Sequence, residues 1–160
     1  MDDCSSLWPN YACAILLSPD QSIWLEDRPL SARHARGLLT CFGGRREPQE
    51  SPEECLRREL QEELDWSPVH VQKSVELWVG HHPMAWFYLV QPAAHPGDLH
   101  PRGAPARLIA WKDLFQNPVS PWHRAVLEAW HSGIGRVDLP AEITPPDSRV
   151  TGNGETITPA

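Results

Sequence analysis

The sequence lacks any apolar run near the ~20 residues that a membrane-spanning helix needs, so no membrane span is expected. Its opening Met-Asp-Asp has no basic segment leading into an apolar one, which argues against a secretory leader. Cysteine is sparse. Cys4, Cys13, Cys41 and Cys55 form no C-x-x-C pair and no zinc-like pattern with histidine, so free thiols and a reducing, cytoplasmic compartment are expected. Positive charge is in deficit: 14 Lys and Arg against 21 Asp and Glu leave a net charge of −7. The basic stripe that would track duplex nucleic acid is missing. An acidic chain can still hold phosphates if a divalent cation stands between the two anions. There are no internal repeats.

What the sequence does have is 17 prolines and eight tryptophans in 160 residues. The prolines predict many turns and short elements. The length predicts one domain with a core of its own. Residues 11–27 read as a hairpin, two apolar runs around the turn Ser18-Pro19-Asp20-Gln21. Residues 38–42 form a third apolar segment that ends in Gly43-Gly44. Residues 69–80 read as a strand pair or one long strand, joined by a turn at His81-His82-Pro83 to a strand over 84–90, and residues 107–111 read as a further strand. Residues 122–131 carry apolar side chains at helical spacing. Strands, helix, strands, helix is the order of an α/β or α+β sandwich, a mixed sheet flanked by helices. The expected boundaries are an N-terminal extension over 1–6, a domain over 7–134, and a flexible Pro/Ser/Thr-rich tail over 135–160.

The clearest element is a helix over 52–64. Ser51 suits the N-cap, Pro52 the first helical position, and Glu54 completes a capping box. Asp65 falls at a left-handed C-cap position, and Pro68 prevents continuation. At 100° per residue, Glu59, Glu62 and Glu63 share an arc of roughly 100°, beside a stripe of Leu56, Leu60 and Leu64 that would dock the helix. Three like charges on one short arc repel, and a bound cation would relieve them. Carboxylate oxygens suit Mg²⁺ or Mn²⁺ rather than a soft metal. Taken alone, E-x-x-E-E is an ordinary solvated helix face.

The flanking residues change that. Gly44-x5-Glu50-x7-Arg58-Glu59-Leu60-x-Glu62-Glu63-x-Asp65-Trp66 resembles the Nudix box, G-x5-E-x7-R-E-U-x-E-E-x-G-U, where U is bulky and aliphatic. Six fixed positions match, a coincidence expected in about one chain in 10⁵ at ~7% abundance per residue type. Asp65 stands in place of the last glycine and Trp66 in place of the last aliphatic residue. Aspartate tolerates positive φ better than most residues, so an intact site is expected.

The resemblance implies a Nudix-type sandwich. It also implies Mg²⁺-dependent hydrolysis of a pyrophosphate bond in a nucleoside diphosphate linked to another moiety, a nucleoside triphosphate or modified nucleotide included. The competing reading is a Nudix domain that senses a nucleotide without turnover. By resemblance, Glu59, Glu62 and Glu63 are metal ligands, with a backbone carbonyl of Gly43 or Gly44 as a further one, and Glu50 and Arg58 tie the loop to the helix. The general base is Glu62 or Glu63, or an acid from elsewhere such as Asp98 or Asp113. Arg45 and Arg46 are placed to reach a phosphate, against the plainer reading of exposed loop arginines. Trp111 and Asp113 sit where related enzymes hold a base, against the plainer reading of a core tryptophan and an N-cap. The substrate is expected to be a small nucleotide. A homodimer is left open.

Overall fold

The period-2 alternation of β1 (Tyr11–Leu17) explains the architecture. Its side chains fall into two separate cores. Ala12, Ala14 and Leu16 face Cys55, Leu56, Leu60 and Leu64 of α1 (Pro52–Leu64). Cys13, Ile15 and Leu17 face a larger cluster that includes Val126 and Leu127 of α2 (Pro121–His131). A strand buried on both faces reads as a continuous apolar run, and this one does. The computed structural model describes residues 7–141.

The other strands are β2 (Ile23–Asp27), β3 (Leu39–Thr40), β4 (Gly43–Arg45), β5 (His70–Val79), β6 (His82–Gln91), β7 (Ala106–Ile109) and β8 (Arg136–Leu139). The order across the sheet is β3-β2-β1-β6-β5-β8, with β4 paired to β1 and β7 to β2. Two of the pairings, β1 with β6 and β5 with β8, are parallel and the rest antiparallel, so the sheet is mixed. The sheet forks at β1. Residues 11–13 pair with β4 on the side where Leu16 and Leu17 pair with β2. The fork leaves a gap, and a cavity opens there.

The expected hairpin over 11–27 is present, and the helix over 52–64 has the expected bounds. The N–H of Glu54 donates to Ser51 Oγ, and Asp65 adopts φ 51°, ψ 42°. The expected turn at His81-His82-Pro83 is displaced. Gly80 and His81, with φ of 55° and 66°, make a two-residue turn of the kind that matches strand twist, and β6 starts at His82. Pro83 lies opposite Trp78 beside a register shift, where a missing N–H costs little. Part of the stretch assigned to the tail lies in the sheet. Residues 136–139 form β8, parallel to β5, with Arg136 paired to Asp138 and lying over Trp78. Four residues alternating charged and aliphatic made too short a signal to separate from the tail. The extension over 1–6 and the tail from 142 onward lie outside the described residues.

Candidate active site

Arg58 holds the turn from β4 into α1 at several points. Arg58 Nε and Nη2 donate to Glu50 Oε2 and Oε1 at 2.7 and 3.0 Å, a bidentate pair. Nη2 also reaches the carbonyl of Arg45 at 3.2 Å, and Nη1 reaches Glu59 at 3.0 Å and Glu62 at 3.3 Å. Glu50 Oε1 in turn accepts from the N–H of Glu47. These hydrogen bonds hold the Glu50 carboxyl at about 2, with Arg58 the largest cause. The structure brings Glu50 and Arg58 together.

Glycine at 44 leaves room for the Glu59 carboxylate, which any larger residue would displace. A Cβ there would lie 2.4 Å from the Glu59 carboxyl carbon. At Gly43, φ is +147° and a Cβ would meet the Ala12 carbonyl at 2.2 Å. The two glycines let β4 lie against β1 while α1 lowers a carboxylate onto the strand. The Gly44 carbonyl accepts from the Cys55 thiol at 3.5 Å.

The glutamates separate into two groups. Glu59 and Glu63 line the cavity together, and burial raises both carboxyls above the ordinary range. The nearby charges of Glu26 and Glu59 raise Glu63 further. Glu63 Oε2 is buried with no hydrogen-bond partner among the described residues. Glu62 turns outward instead, 59% exposed and paired with Arg58. Among the described residues no three His, Cys, Asp or Glu side chains converge as a ready metal cage. Arg58 Nη1 lies between the Glu59 and Glu62 carboxylates and offsets part of their repulsion. The donor set still fits a hard divalent cation. Two half-buried carboxylates, one with an orphaned oxygen, backbone carbonyls and water are its usual oxygen ligands.

The cavity holds about 620 Å³, within the range of small-molecule sites. One end carries Glu59, Glu63, Gly43 and Gly44, with Arg45 at the rim. The other is apolar, walled by Leu77, Met84, Phe87 and Trp122. Glu26 and Arg28, paired at 3.2 Å, line it from β2 and the loop that follows. Burial raises the Glu26 carboxyl, and Arg28 opposes that rise. His123, in the first turn of α2, accepts at Nδ1 from the N–H of Cys41 at 3.1 Å and stands edge-on to Phe87. Burial and the charge of Arg28 hold its imidazole down at about 4, so it is neutral at pH 7.

Several sequence candidates lie elsewhere. Arg46 is a structural tie rather than a cavity residue. It donates to the carbonyls of Pro9 and Glu50 at 3.0 Å and covers the Trp8 ring. Trp111 belongs to an aromatic cluster with Phe115, Trp130 and His131, and neither it nor Asp113 lines the cavity. Asp98 accepts from His95 in the exposed loop after β6. The cavity residues that pattern reading missed are Glu26, Trp122 and His123. Glu26 left only a weak signal, the first charge after the apolar run Ile23-Trp24-Leu25. Trp122 and His123 left none that separates them from an ordinary amphipathic helix.

The family model for the NUDIX domain matches residues 8–130. The chain belongs to the Nudix family. Members are hydrolases that generally act on nucleoside diphosphate derivatives with the help of divalent metals. Solved Nudix structures share the fold. In a structural study of MutT from Aliivibrio salmonicida and Vibrio cholerae the match has 24% identity and a TM-score of 0.66, covering 77% of this chain and 96% of the other. A MutT protein from Bacillus halodurans matches at 15% identity and TM-score 0.65 over 92% of this chain and 94% of its own. A MutT Nudix hydrolase from Burkholderia pseudomallei matches at 22% and 0.61, over 74% and 94%. Comparison with the sequences of curated proteins gives no match. This Nudix chain contains, in its described residues, no helix long and apolar enough to cross a membrane.

Proposed function

We propose that this chain hydrolyses a pyrophosphate bond of a small nucleotide with Mg²⁺, or Mn²⁺ in its place, bound at Glu59 and Glu63. The observation that carries this reading is the buried, partnerless Oε2 of Glu63 beside Glu59, at the glycine end of a cavity large enough for a nucleotide. The ion would supply charge neutralisation of the phosphates and activation of water. Glu59 and Glu63 hold the ligand positions, and Gly43-Gly44 keep backbone close to them. Arg45, exposed at the rim, binds a phosphate oxygen of the substrate. Glu63 is the proton acceptor we assign. Asp98 and Asp113 do not line the cavity, and Glu62 is held outward by Arg58. The apolar end takes the base between Phe87, Met84 and Trp122.

The outward position of Glu62 is the one observation that favours nucleotide sensing without turnover. One experiment separates the two. Release of phosphate or pyrophosphate is measured from nucleoside triphosphates, dinucleotides and nucleotide sugars, with and without Mg²⁺. Turnover that needs the metal is expected, with Glu62→Gln losing about tenfold and Glu63→Gln far more. Binding without release from any member of the panel would decide for the sensor. Three buried free thiols, Cys13, Cys41 and Cys55, support a reducing, cytoplasmic setting.

A further inference from the structure

The apolar end of the cavity has a polar group whose direction of hydrogen bonding is fixed. His123 Nδ1 accepts from the backbone N–H of Cys41. A main-chain N–H cannot accept, so a proton on Nδ1 would face another proton across that 3.1 Å contact. The neutral ring must therefore carry its hydrogen on Nε2. Nε2 has no hydrogen-bond partner among the described residues, and His123 lines the cavity beside Phe87 and Trp122. Unlike an asparagine or glutamine amide, which can turn over to offer either an oxygen or an NH₂, this ring can only donate. The position is also stiff. Phe87, 1% exposed, packs against the ring edge-to-face at 5.4 Å, and Cys41, 3% exposed, holds the other side.

We propose that His123 is a specificity residue whose Nε2–H donates to an exocyclic oxygen of the bound base, so that the cavity takes oxo bases in preference to their amino counterparts. The inference rests on the reading that a nucleotide base enters this end of the cavity. A 6-oxo purine or 4-oxo pyrimidine presents an acceptor to Nε2–H. A 6-amino purine or 4-amino pyrimidine presents two hydrogens at the same place, and one buried donor is left facing another. A site built to make a hydrogen bond rejects an analogue that cannot make it far more strongly than an apolar pocket rejects a change in size. The held-down basicity of the ring keeps it uncharged across the neutral range, so the donor is a single N–H and not an imidazolium.

The test is binding by isothermal titration calorimetry of the full chain with two matched pairs, inosine against adenosine 5′-monophosphate and uridine against cytidine 5′-monophosphate. The members of each pair differ only in the oxo or amino arrangement of the base. Within at least one pair the oxo member is expected to bind about tenfold more tightly or better. In His123→Gln, whose amide can offer either group, that ratio is expected to fall toward one. In His123→Phe the oxo member should weaken about tenfold while the amino member does not. Equal binding within both pairs by the unaltered protein, preference for the amino member, or a ratio that survives both substitutions would overturn the assignment. So would failure of all four nucleotides to bind. Because the monophosphates have no pyrophosphate bond, the result is independent of turnover. An oxo preference in a protein that hydrolyses nothing would sink the hydrolase reading and leave the base assignment standing.

Discussion

Glu63→Gln is expected to yield a well-folded protein with turnover reduced about 10³-fold, near the middle of the range for loss of a general base. The substitution keeps shape and removes the charge of a side chain that has one oxygen buried without a partner. Stability should move the other way. The Glu63 carboxyl is raised by burial and by the charges of Glu26 and Glu59. A carboxyl whose folded value lies above its unfolded value of ~4.3 stabilises the fold below that value and loses the contribution as pH rises. Without metal, the unaltered protein should therefore lose melting temperature from about pH 5 upward, and Glu63→Gln should lose less. Added Mg²⁺ should restore the unaltered protein and leave the variant nearly unmoved. Melting scans at pH 5, 7 and 8.5, with EDTA or Mg²⁺, read all of this. A variant that is less stable than its parent at pH 8.5 in EDTA would remove the strained-carboxylate account of the site.

Arg58→Ala is expected to cost about 2–4 kcal/mol, somewhat below the range for breaking a fully buried pair because Arg58 keeps some solvent. For a chain of this size that is a fall in melting temperature of roughly 5–12 °C. The cost comes from what is left behind. Glu50, its side chain 11% exposed, loses both bidentate contacts, and the carbonyl of Arg45 loses its donor. Glu59 and Glu62 lose their shared cation at the same time. The pH dependence has the opposite sign to that of Glu63. Glu50 is held down at about 2, so its contribution is full above the unfolded ~4.3 and fades as pH falls toward 2. The gap between parent and Arg58→Ala should narrow between pH 4.5 and pH 2.5. Glu50→Gln should account for much of the loss, and the double variant should fall well short of the sum, because the two side chains act as one unit. Additive losses would show that the pair does not anchor the turn.

How far the sequence could be read follows from how local each signal is. The helix over 52–64 was legible to the residue because its start and stop are written in adjacent positions, Ser51, Pro52 and Asp65. The tie between Glu50 and Arg58 was legible through family spacing. Glu62 shares that spacing, but its direction depends on Arg58, which three other carboxylates also contact. Trp111 left two readings open because tryptophan serves a core and a stacking surface equally well, and its packing against Phe115, Trp130 and His131 is tertiary. His123 was illegible because its role comes from an N–H on Cys41, 82 positions away.

The two faces of β1 differ in bulk rather than in polarity. Near the helix it offers Ala12, Ala14 and Leu16, and on the opposite side Cys13, Ile15 and Leu17. A strand with one wet face keeps its register because a one-residue slip would strand apolar groups in water. Here both faces are dry, so water cannot act as referee. Steric volume does that work: a slip would set Ile15 where the smaller Ala14 packs near α1 and leave a void where Ile15 packed on the α2 side. The methyl-sized residues therefore set how closely the helix can approach, and with it how deep Glu59 and Glu63 sit. Enlarging Ala14 would detune the site from the far side of the strand without touching any residue that meets the substrate.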